Sequence, residues 1–240
     1  KASHPGSAVS YKFIGFPESD VGVVAIRGTN NGLDALSDAQ LWSSAALAQY
    51  VRAVLPLGVL YTPILHWLVE AVSWVESSSL ESVSYYRETT SFVEEVKKSG
   101  KYSNLIVTGH SLGGGVAMIT GAQTEVPSIG LSGPNAVLSR LTFHPEITEE
   151  ALRKYTFNIV PDRDPVPRID DFSQNLQHIK CTAPASNPVD CHMVHRSVCE
   201  ILFTCGSHGR PILCDCVNQY NYPIPISTSG TAFSDVCPKK

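Results

Sequence analysis

A lone serine stands among glycines in residues 104–118, NLIVTGHSLGGGVAM. The stretch GHSLG at residues 109–113 fits the pattern Gly-x-Ser-x-Gly, in which a nucleophilic serine projects from a sharp strand-to-helix turn. Glycines two residues before and two residues after the serine relieve the crowding at such a turn. The N–H groups that open the following helix can stabilise an oxyanion. The pattern therefore predicts Ser111 as a nucleophile, and the alternative is a serine with only a structural role.

A serine hydroxyl is a poor nucleophile unless a base, itself oriented by an acid, removes its proton. Where a serine follows a strand in this way, the acid and then the histidine come later in the chain. The stretch FNIVPDRDPVPRID offers four aspartates after an apolar run: Asp162, Asp164, Asp170 and Asp171. Asp164 is favoured because it closely follows the predicted strand and precedes Pro165, which stiffens the turn. Asp162 is its nearest rival. Position alone does not decide for Asp164, because most loop aspartates only form turns.

Four histidines follow these aspartates: His178, His192, His195 and His208. His178 lies inside a predicted strand, where packing or surface exposure is the simpler interpretation. A catalytic base is expected in the loop after the last strand, which favours His192 over His195, a candidate helix-surface residue. A disulfide at the adjacent Cys191 would fix that loop and hold the imidazole.

An oxyanion hole needs two N–H groups, and the first comes from the residue after the nucleophile, Leu112. The second is expected from the loop that follows an early strand. Residues 21–29, VGVVAIRGT, form a short apolar run that predicts a buried strand. Thr29 ends this run and is the candidate, and its hydroxyl could donate as well. An ordinary Asn-Gly turn is the alternative.

The elements that must position these residues alternate between strands and helices. Apolar runs predict strands at VGVVAIRGT, NLIVTG, VPSIGLSG and YTFNIV, and more weakly at QHIKCTAP. Helical spacing of apolar residues predicts a helix over LESVSYYRETTSFVEEVKKSGK, with Gly100 as its stop. A second helix follows the serine. This alternation predicts an α/β fold with a mostly parallel central sheet flanked by helices.

The composition suits one globular domain over residues 1–240, because 43% of the residues are hydrophobic and 17% are charged. The formal net charge is −4, and no basic stripe suggests a nucleic-acid partner. Nothing in the sequence implies a stable protein partner.

All seven cysteines lie in residues 181–237, which predicts a disulfide-rich C-terminal segment. Such a segment indicates a protein made through an oxidising compartment, either secreted or lumenal in the secretory or vacuolar pathway. Because seven is odd, at least one thiol is left over. Zinc is the alternative, but the spacing lacks two Cys-x-x-Cys pairs.

Residues 53–69, AVLPLGVLYTPILHWLV, contain no Asp, Glu, Lys or Arg. We expect an apolar, lipid-facing or lid-like helical insert over about residues 40–80, because exposed apolar segments of this size usually meet a partner surface. A buried hairpin of two short helices is an alternative. A transmembrane helix is disfavoured by the length of the segment and by Pro56 and Pro63.

Together these residues resemble the fungal-type class 3 lipase family of α/β-hydrolases, with matches over roughly residues 21–205. The resemblance is carried by the GHSLGG stretch, Arg27-Gly28-Thr29, the acidic pair Asp34 and Asp38, the DPVPR turn at residues 164–168, and Cys191-His192, which is similar to the family's cysteine-rich branch. Two features depart from the family. The family's His-x-Gly-Phe, which precedes the helix that leads to the serine turn, is replaced here by SSSLESVSYY. The insert after the strand that ends at Thr29 is also longer and more apolar than in the family.

The resemblance implies an α/β-hydrolase fold and a serine carboxylic-ester hydrolase. It assigns Ser111 as nucleophile, Asp164 as orienting acid and His192 as base, with Thr29 and Leu112 as oxyanion residues. Neither a metal nor an organic cofactor is required by this chemistry.

The apolar insert favours long-chain acylglycerols at an oil–water or membrane interface, and therefore a triacylglycerol lipase. Phospholipids, galactolipids and feruloyl-type esters are alternative substrates for the same triad. A non-catalytic lipid-binding protein on a hydrolase scaffold is the alternative from another functional class.

Overall fold

A computed structural model of the chain describes residues 10–28, 85–172, 175–186, 188–206, 213–224 and 233–237. Several sequence predictions lie outside these residues: Thr29, the acidic pair Asp34 and Asp38, the apolar residues 53–69 with the lid-like insert, and His208. The chain forms two compact units. One comprises residues 1–160 and 166–177, and the other comprises residues 161–165 and 178–240. The single domain over residues 1–240 stays a prediction.

The central sheet has six strands, and their order in the sheet is their order in the chain. The strands are β1 (Tyr11–Phe16), β2 (Val21–Ile26), β3 (Asn104–His110), β4 (Ser128–Leu131), β5 (Thr156–Pro161) and β6 (Leu176–Ile179). Strand β1 pairs with β2 antiparallel, while β2 through β5 are parallel. The mostly parallel sheet predicted from the alternation of elements is therefore confirmed.

Among the described residues, the first unit contains the helices α1 (Tyr85–Ser99), α2 (Leu112–Thr124) and α3 (Glu149–Tyr155). Helix α1 ends at Gly100, whose φ of 63° is the left-handed conformation typical of a glycine helix stop. Helix α3 begins after Thr148, whose hydroxyl accepts a hydrogen bond from the N–H of Ala151 at 3.0 Å. These ends match the stop and cap chemistry of their residues.

The core of the first unit lies where α1 and α2 cover the sheet, and its most deeply buried side chains include Val24, Val93, Val107, Val116, Ile119 and Phe143. A buried hydrogen bond of 2.8 Å between the hydroxyls of Thr89 and Thr120 joins α1 to α2. Pairing a polar group on each helix leaves neither hydroxyl unsatisfied in an apolar layer. Packing holds the two helices against the sheet, and this buried hydrogen bond is one of several that join α1 to α2.

The parallel strands end together, with Ile26 opposite Gly109 and His110 opposite Leu131. The residues that follow these strands therefore lie at one edge of the sheet, where open α/β sheets place their functional loops. Ser111 is one of them.

The second unit contains the helices α4 (Val194–Cys205), α5 (Cys214–Asn218) and α6 (Phe233–Val236), together with a 3-10 turn at Pro188–His192. Three disulfides join Cys181 to Cys191, Cys199 to Cys216, and Cys214 to Cys237, and Cys205 is exposed with a free thiol. The predicted disulfide-rich segment and its odd thiol are confirmed. Six of the seven cysteines are therefore in disulfides and cannot bind zinc as thiolates, which excludes the zinc alternative for this cluster.

In the parts of the chain that the structure describes, no helix has the length and apolar character needed to cross a membrane.

Candidate active site

Ser111 occupies the junction between β3 and α2 with a φ of 58° and a ψ of −132°. A residue with a side chain adopts this conformation only at a cost of about 1–3 kcal/mol, which the surrounding structure must hold in place. Its N–H donates to the carbonyl of Leu131 at 3.0 Å, and its carbonyl accepts from the N–H groups of Gly114 and Gly115 at 2.8 and 3.1 Å. The serine backbone is therefore fixed from the strand side and from the helix side.

The glycines on either side of Ser111 allow α2 to start close to the sheet. A Cβ at Gly109 would overlap the carbonyl of Gly113, and a Cβ at Gly113 would lie 2.5 Å from the carbonyl oxygen of Ile26. Both contacts are to backbone atoms, which cannot turn aside as a flexible side chain could. The two glycines of the motif are thus required by the close approach of strand and helix.

The end of β2 lies against the serine. A Cβ added to Gly28 would come within 3.3 Å of the Cβ of Ser111 and 2.5 Å of the carbonyl oxygen of His110. Leu112 opens α2, so its N–H belongs to the first turn, whose N–H groups have no partner within the helix. Thr29, the second predicted oxyanion residue, follows Gly28 directly and lies outside the described residues.

Asp164 and His192 form a hydrogen-bonded pair in the second unit. The Nδ1 atom of His192 lies 3.0 and 3.1 Å from the two carboxylate oxygens of Asp164. Asp164 is fully buried, whereas 21% of the His192 side chain is exposed. With Nδ1–H donating to the carboxylate, Nε2 is left as a proton acceptor. The structure therefore brings together two of the predicted residues in an arrangement suited to general base chemistry.

Two of the rival histidines and the nearest rival aspartate lie on the surface. Asp162, His178 and His195 are exposed, the last on the surface of α4. For His178 and His195, the sequence predicts such a surface position as the alternative to a catalytic role.

Asp170 is buried and accepts hydrogen bonds from the backbone of the loop after β4. Its carboxylate accepts from the N–H of Leu138 at 2.8 Å, the N–H of Ser139 at 3.1 Å and the Ser139 hydroxyl at 2.8 Å. Burial raises the pKa of Asp170 to about 6, although these donors and the N–H of Asp171 act in the opposite direction. Asp170 is thus a structural carboxylate, which the sequence offered only as one of four aspartates.

A pair of buried asparagines, which sequence reasoning missed, supports the same region. The Asn158 amide donates to the carbonyl of Gly133 at 2.8 Å and to Asn135 Oδ1 at 3.1 Å. The Asn135 amide in turn donates to the carbonyl of Pro167 at 2.9 Å. The one available signal is the polar Asn158 inside the otherwise apolar run YTFNIV, because a buried amide must find partners.

No group of three or more His, Cys, Asp or Glu side chains that could hold a metal ion occurs among the residues described above.

Comparison with known proteins assigns the chain to a family. The family model "Lipase (class 3)" matches residues 23–173, well over half of the 240 residues and including most of β2, all of β3 to β5 and the Ser111 junction. No curated protein matches the chain. The chain therefore belongs to the class 3 lipase family and is an ester hydrolase of the lipase type.

Proposed function

We propose that this lipase hydrolyses long-chain acylglycerols through an acyl-enzyme formed on Ser111, with His192 as the base and Asp164 as the orienting acid. The observation that carries the proposal is the strained backbone of Ser111 between two glycines that have no room for a side chain. This is the geometry in which a serine side chain projects at the end of a sheet and meets an incoming carbonyl. The hydrogen-bonded pair of Asp164 and His192 supplies the matching base.

In this mechanism Nε2 of His192 takes the proton of Ser111 as the serine Oγ attacks the ester carbonyl. The oxyanion of the tetrahedral intermediate accepts hydrogen bonds from the N–H groups of Leu112 and Thr29. The alcohol leaves with the proton from His192, and an acyl-enzyme remains. Water then attacks the acyl-enzyme with His192 again as base, the bond to Ser111 Oγ breaks, and the carboxylic acid leaves as the proton returns from Nε2 to Oγ. Asp164 keeps the imidazole in one tautomer and stabilises its cation.

The long-chain substrate is supported by the apolar residues 53–69, which contain no Asp, Glu, Lys or Arg. An apolar segment of this size suits an acyl chain or an oil–water interface. Phospholipids, galactolipids and feruloyl-type esters are the other substrates that the same chemistry accommodates.

A fluorophosphonate probe tests the nucleophile. We expect stoichiometric labelling of the wild-type chain and none of Ser111→Ala, because the probe reacts with an activated serine hydroxyl. Ser99→Ala, which removes an exposed hydroxyl at the end of α1, is the control and should label normally. Labelling that persists in Ser111→Ala contradicts the proposed nucleophile. Lipid binding by a wild-type chain that never labels would favour the non-catalytic alternative.

Substrate aggregation tests the lipase assignment within the esterases. We expect the rate to rise sharply when a long-chain acylglycerol passes its solubility limit. A panel of short soluble esters, galactolipids, phospholipids and feruloyl esters at matched concentrations provides the comparison. Best turnover on short soluble esters, without any rise on aggregation, would exclude the acylglycerol lipase.

The three disulfides indicate an extracellular protein or one of the secretory pathway. Within that range we place the protein as secreted or vacuolar, where it meets lipid esters at an oil–water or membrane interface.

A further inference from the structure

The loop that precedes His192 is closed by a disulfide. Cys181 is bonded to Cys191, with a Cα–Cα distance of 5.6 Å, and Cys191 is the direct neighbour of His192. The start of this loop, residues 181–183, is therefore covalently coupled to the position of the imidazole. Whatever fixes residues 181–183 also limits where His192 can lie.

Arg163, the neighbour of Asp164, holds the start of that loop. Its Nη2 atom donates to the carbonyl of Cys181 at 3.0 Å and to the carbonyl of Ala183 at 2.6 Å. Hydrogen bonds from a charged donor are roughly twice as strong as neutral ones, and the planar guanidinium fixes their direction. The turn that carries the acid is thus tied to the loop that carries the base.

The backbone of Arg163 is strained, which sets this arginine apart from an ordinary surface residue. Its φ is 67°, and it is the third residue of a turn in which the N–H of Asp164 donates to the carbonyl of Pro161 at 3.2 Å. Glycine is favoured at such a position, and a residue with a Cβ costs about 1–2 kcal/mol there. The two carbonyl contacts of the guanidinium give a physical reason for an arginine where the backbone alone favours glycine.

Arg196 of α4 contacts the same loop. Its Nη1 atom lies 3.4 Å from the Thr182 hydroxyl, and its Nη2 atom lies 3.7 Å from the carboxylate of Asp190. The guanidinium also lies 4.4 Å from the centre of the Tyr220 ring. These contacts are longer than those of Arg163, and Arg196 is not a chain neighbour of Asp164.

We propose that Arg163 is a positioning residue for the Asp164–His192 pair. It closes a ring of contacts that runs from Asp164 through Arg163 to residues 181–183, across the Cys181–Cys191 disulfide to His192, and back to the Asp164 carboxylate. This inference rests on the proposed triad and deepens it. Acid and base keep their distance because every link of the ring is a covalent bond or a short hydrogen bond.

The test compares Arg163→Gln with Arg153→Gln, which removes an exposed arginine of α3. We expect Arg163→Gln to lower kcat about 10- to 100-fold with little change in KM, because a small displacement of a catalytic pair costs that much. Arg163→Lys should lie between this variant and the wild type, since one ammonium group reaches the carbonyls less well. If Arg163→Gln does not fold, Arg163→Lys carries the comparison.

A proton NMR signal separates positioning from general stabilisation. The Nδ1 proton between His192 and Asp164 should give a far-downfield resonance at low pH in the wild type and in Arg153→Gln. We expect this resonance to broaden or disappear in Arg163→Gln at a temperature well below unfolding. A loss of thermal stability without any change in the resonance would overturn the inference.

A double-mutant cycle with Cys181→Ser/Cys191→Ser tests whether arginine and disulfide act through the same ring. We expect the combined loss of kcat to be clearly smaller than the product of the separate losses. Fully multiplicative losses would contradict the closed ring. Failure of the proposed triad is recognised separately. In that case Ser111→Ala keeps its activity and its labelling, whatever Arg163→Gln does.

Discussion

At the scale of the residue, the contact between Asp164 and His192 determines what the imidazole can do. The carboxylate is fully buried and both of its oxygens lie within 3.1 Å of Nδ1. A carboxylate can only accept, so the Nδ1 atom must carry the proton and Nε2 remains available as a base. Exchanging the acceptor for a donor at this position should therefore act on the tautomer rather than on the fold.

Asp164→Asn should lower kcat by about 10⁴-fold with little change in KM, because the amide can donate to Nδ1 and favours the wrong tautomer. Asp162→Asn, at the exposed aspartate two residues earlier, is the matched control and should keep its activity. Steady-state kinetics on one soluble ester and a melting curve for each variant are sufficient. Activity of Asp164→Asn within tenfold of the wild type would contradict the orienting role.

The sequence could favour Asp164 over its neighbours, but it could not show what each carboxylate touches. Asp170 lies six residues later and meets backbone donors 31 and 32 residues away in sequence. Arg163 likewise contacts carbonyls 18 and 20 residues away. A local pattern of aspartates and turn residues carries no information about such distant partners. The contacts of Arg163 could therefore not be predicted without the position of residues 181–183.

At the scale of the element, the junction of β3 and α2 has little tolerance for added atoms. Gly109→Ala places a methyl group on the backbone carbonyl of Gly113, so strand or helix must move. Gly100→Ala is a useful contrast, because Gly100 also ends an element but has open space around its Cβ position. The contrast separates steric overlap from backbone conformation.

We expect Gly109→Ala to cost at least about 3 kcal/mol of unfolding free energy and to abolish activity, since overpacking of this kind moves the backbone. Gly100→Ala should cost only about 1 kcal/mol, the penalty for a left-handed residue with a Cβ, and should keep its activity. Chemical denaturation of both variants measures the difference. Equal losses in the two variants would mean that the close approach at Gly109 is not limiting.

Most elements around the site could be predicted from sequence, because each is marked by an apolar run or by a helical period with a stop signal. Strand β1 was not predicted. Its six residues, YKFIGF, are mostly half-buried or exposed and include Gly15, so they show no clear period. Pairing with β2, from Tyr11 opposite Ile26 to Phe16 opposite Val21, is what makes this segment a strand. Tertiary pairing of this kind leaves little trace in local sequence.

At the scale of the whole molecule, the buried carboxylate of Asp170 links folding stability to pH. Its pKa is about 6 in the folded chain, compared with 3.8 for the unperturbed group, chiefly because burial disfavours the charge. The folded chain therefore holds this proton more tightly than the unfolded chain does. The contribution of Asp170 to stability is present below about pH 4 and is lost as pH rises through about 6.

Between pH 4 and pH 6, the free energy of unfolding of the wild type should fall relative to Asp170→Asn by about 2 kcal/mol. The variant has no titrating group at this position, although the loss of an acceptor for Leu138 and Ser139 makes it less stable overall. Asp235→Asn, at an exposed aspartate of α6, should follow the wild type. Urea denaturation across the pH range measures this, and parallel curves for wild type and Asp170→Asn would contradict the shifted pKa.

The backbone of Ser111 sets stability against catalysis at one position. A glycine adopts a φ of 58° without penalty, so the chain would gain stability by replacing the proposed nucleophile with glycine. Directed evolution that ranks variants of this enzyme by melting temperature alone therefore rewards the loss of the serine. A thermostable form must be selected for turnover at the same time, or the selection will favour stable variants that lack the Ser111 hydroxyl.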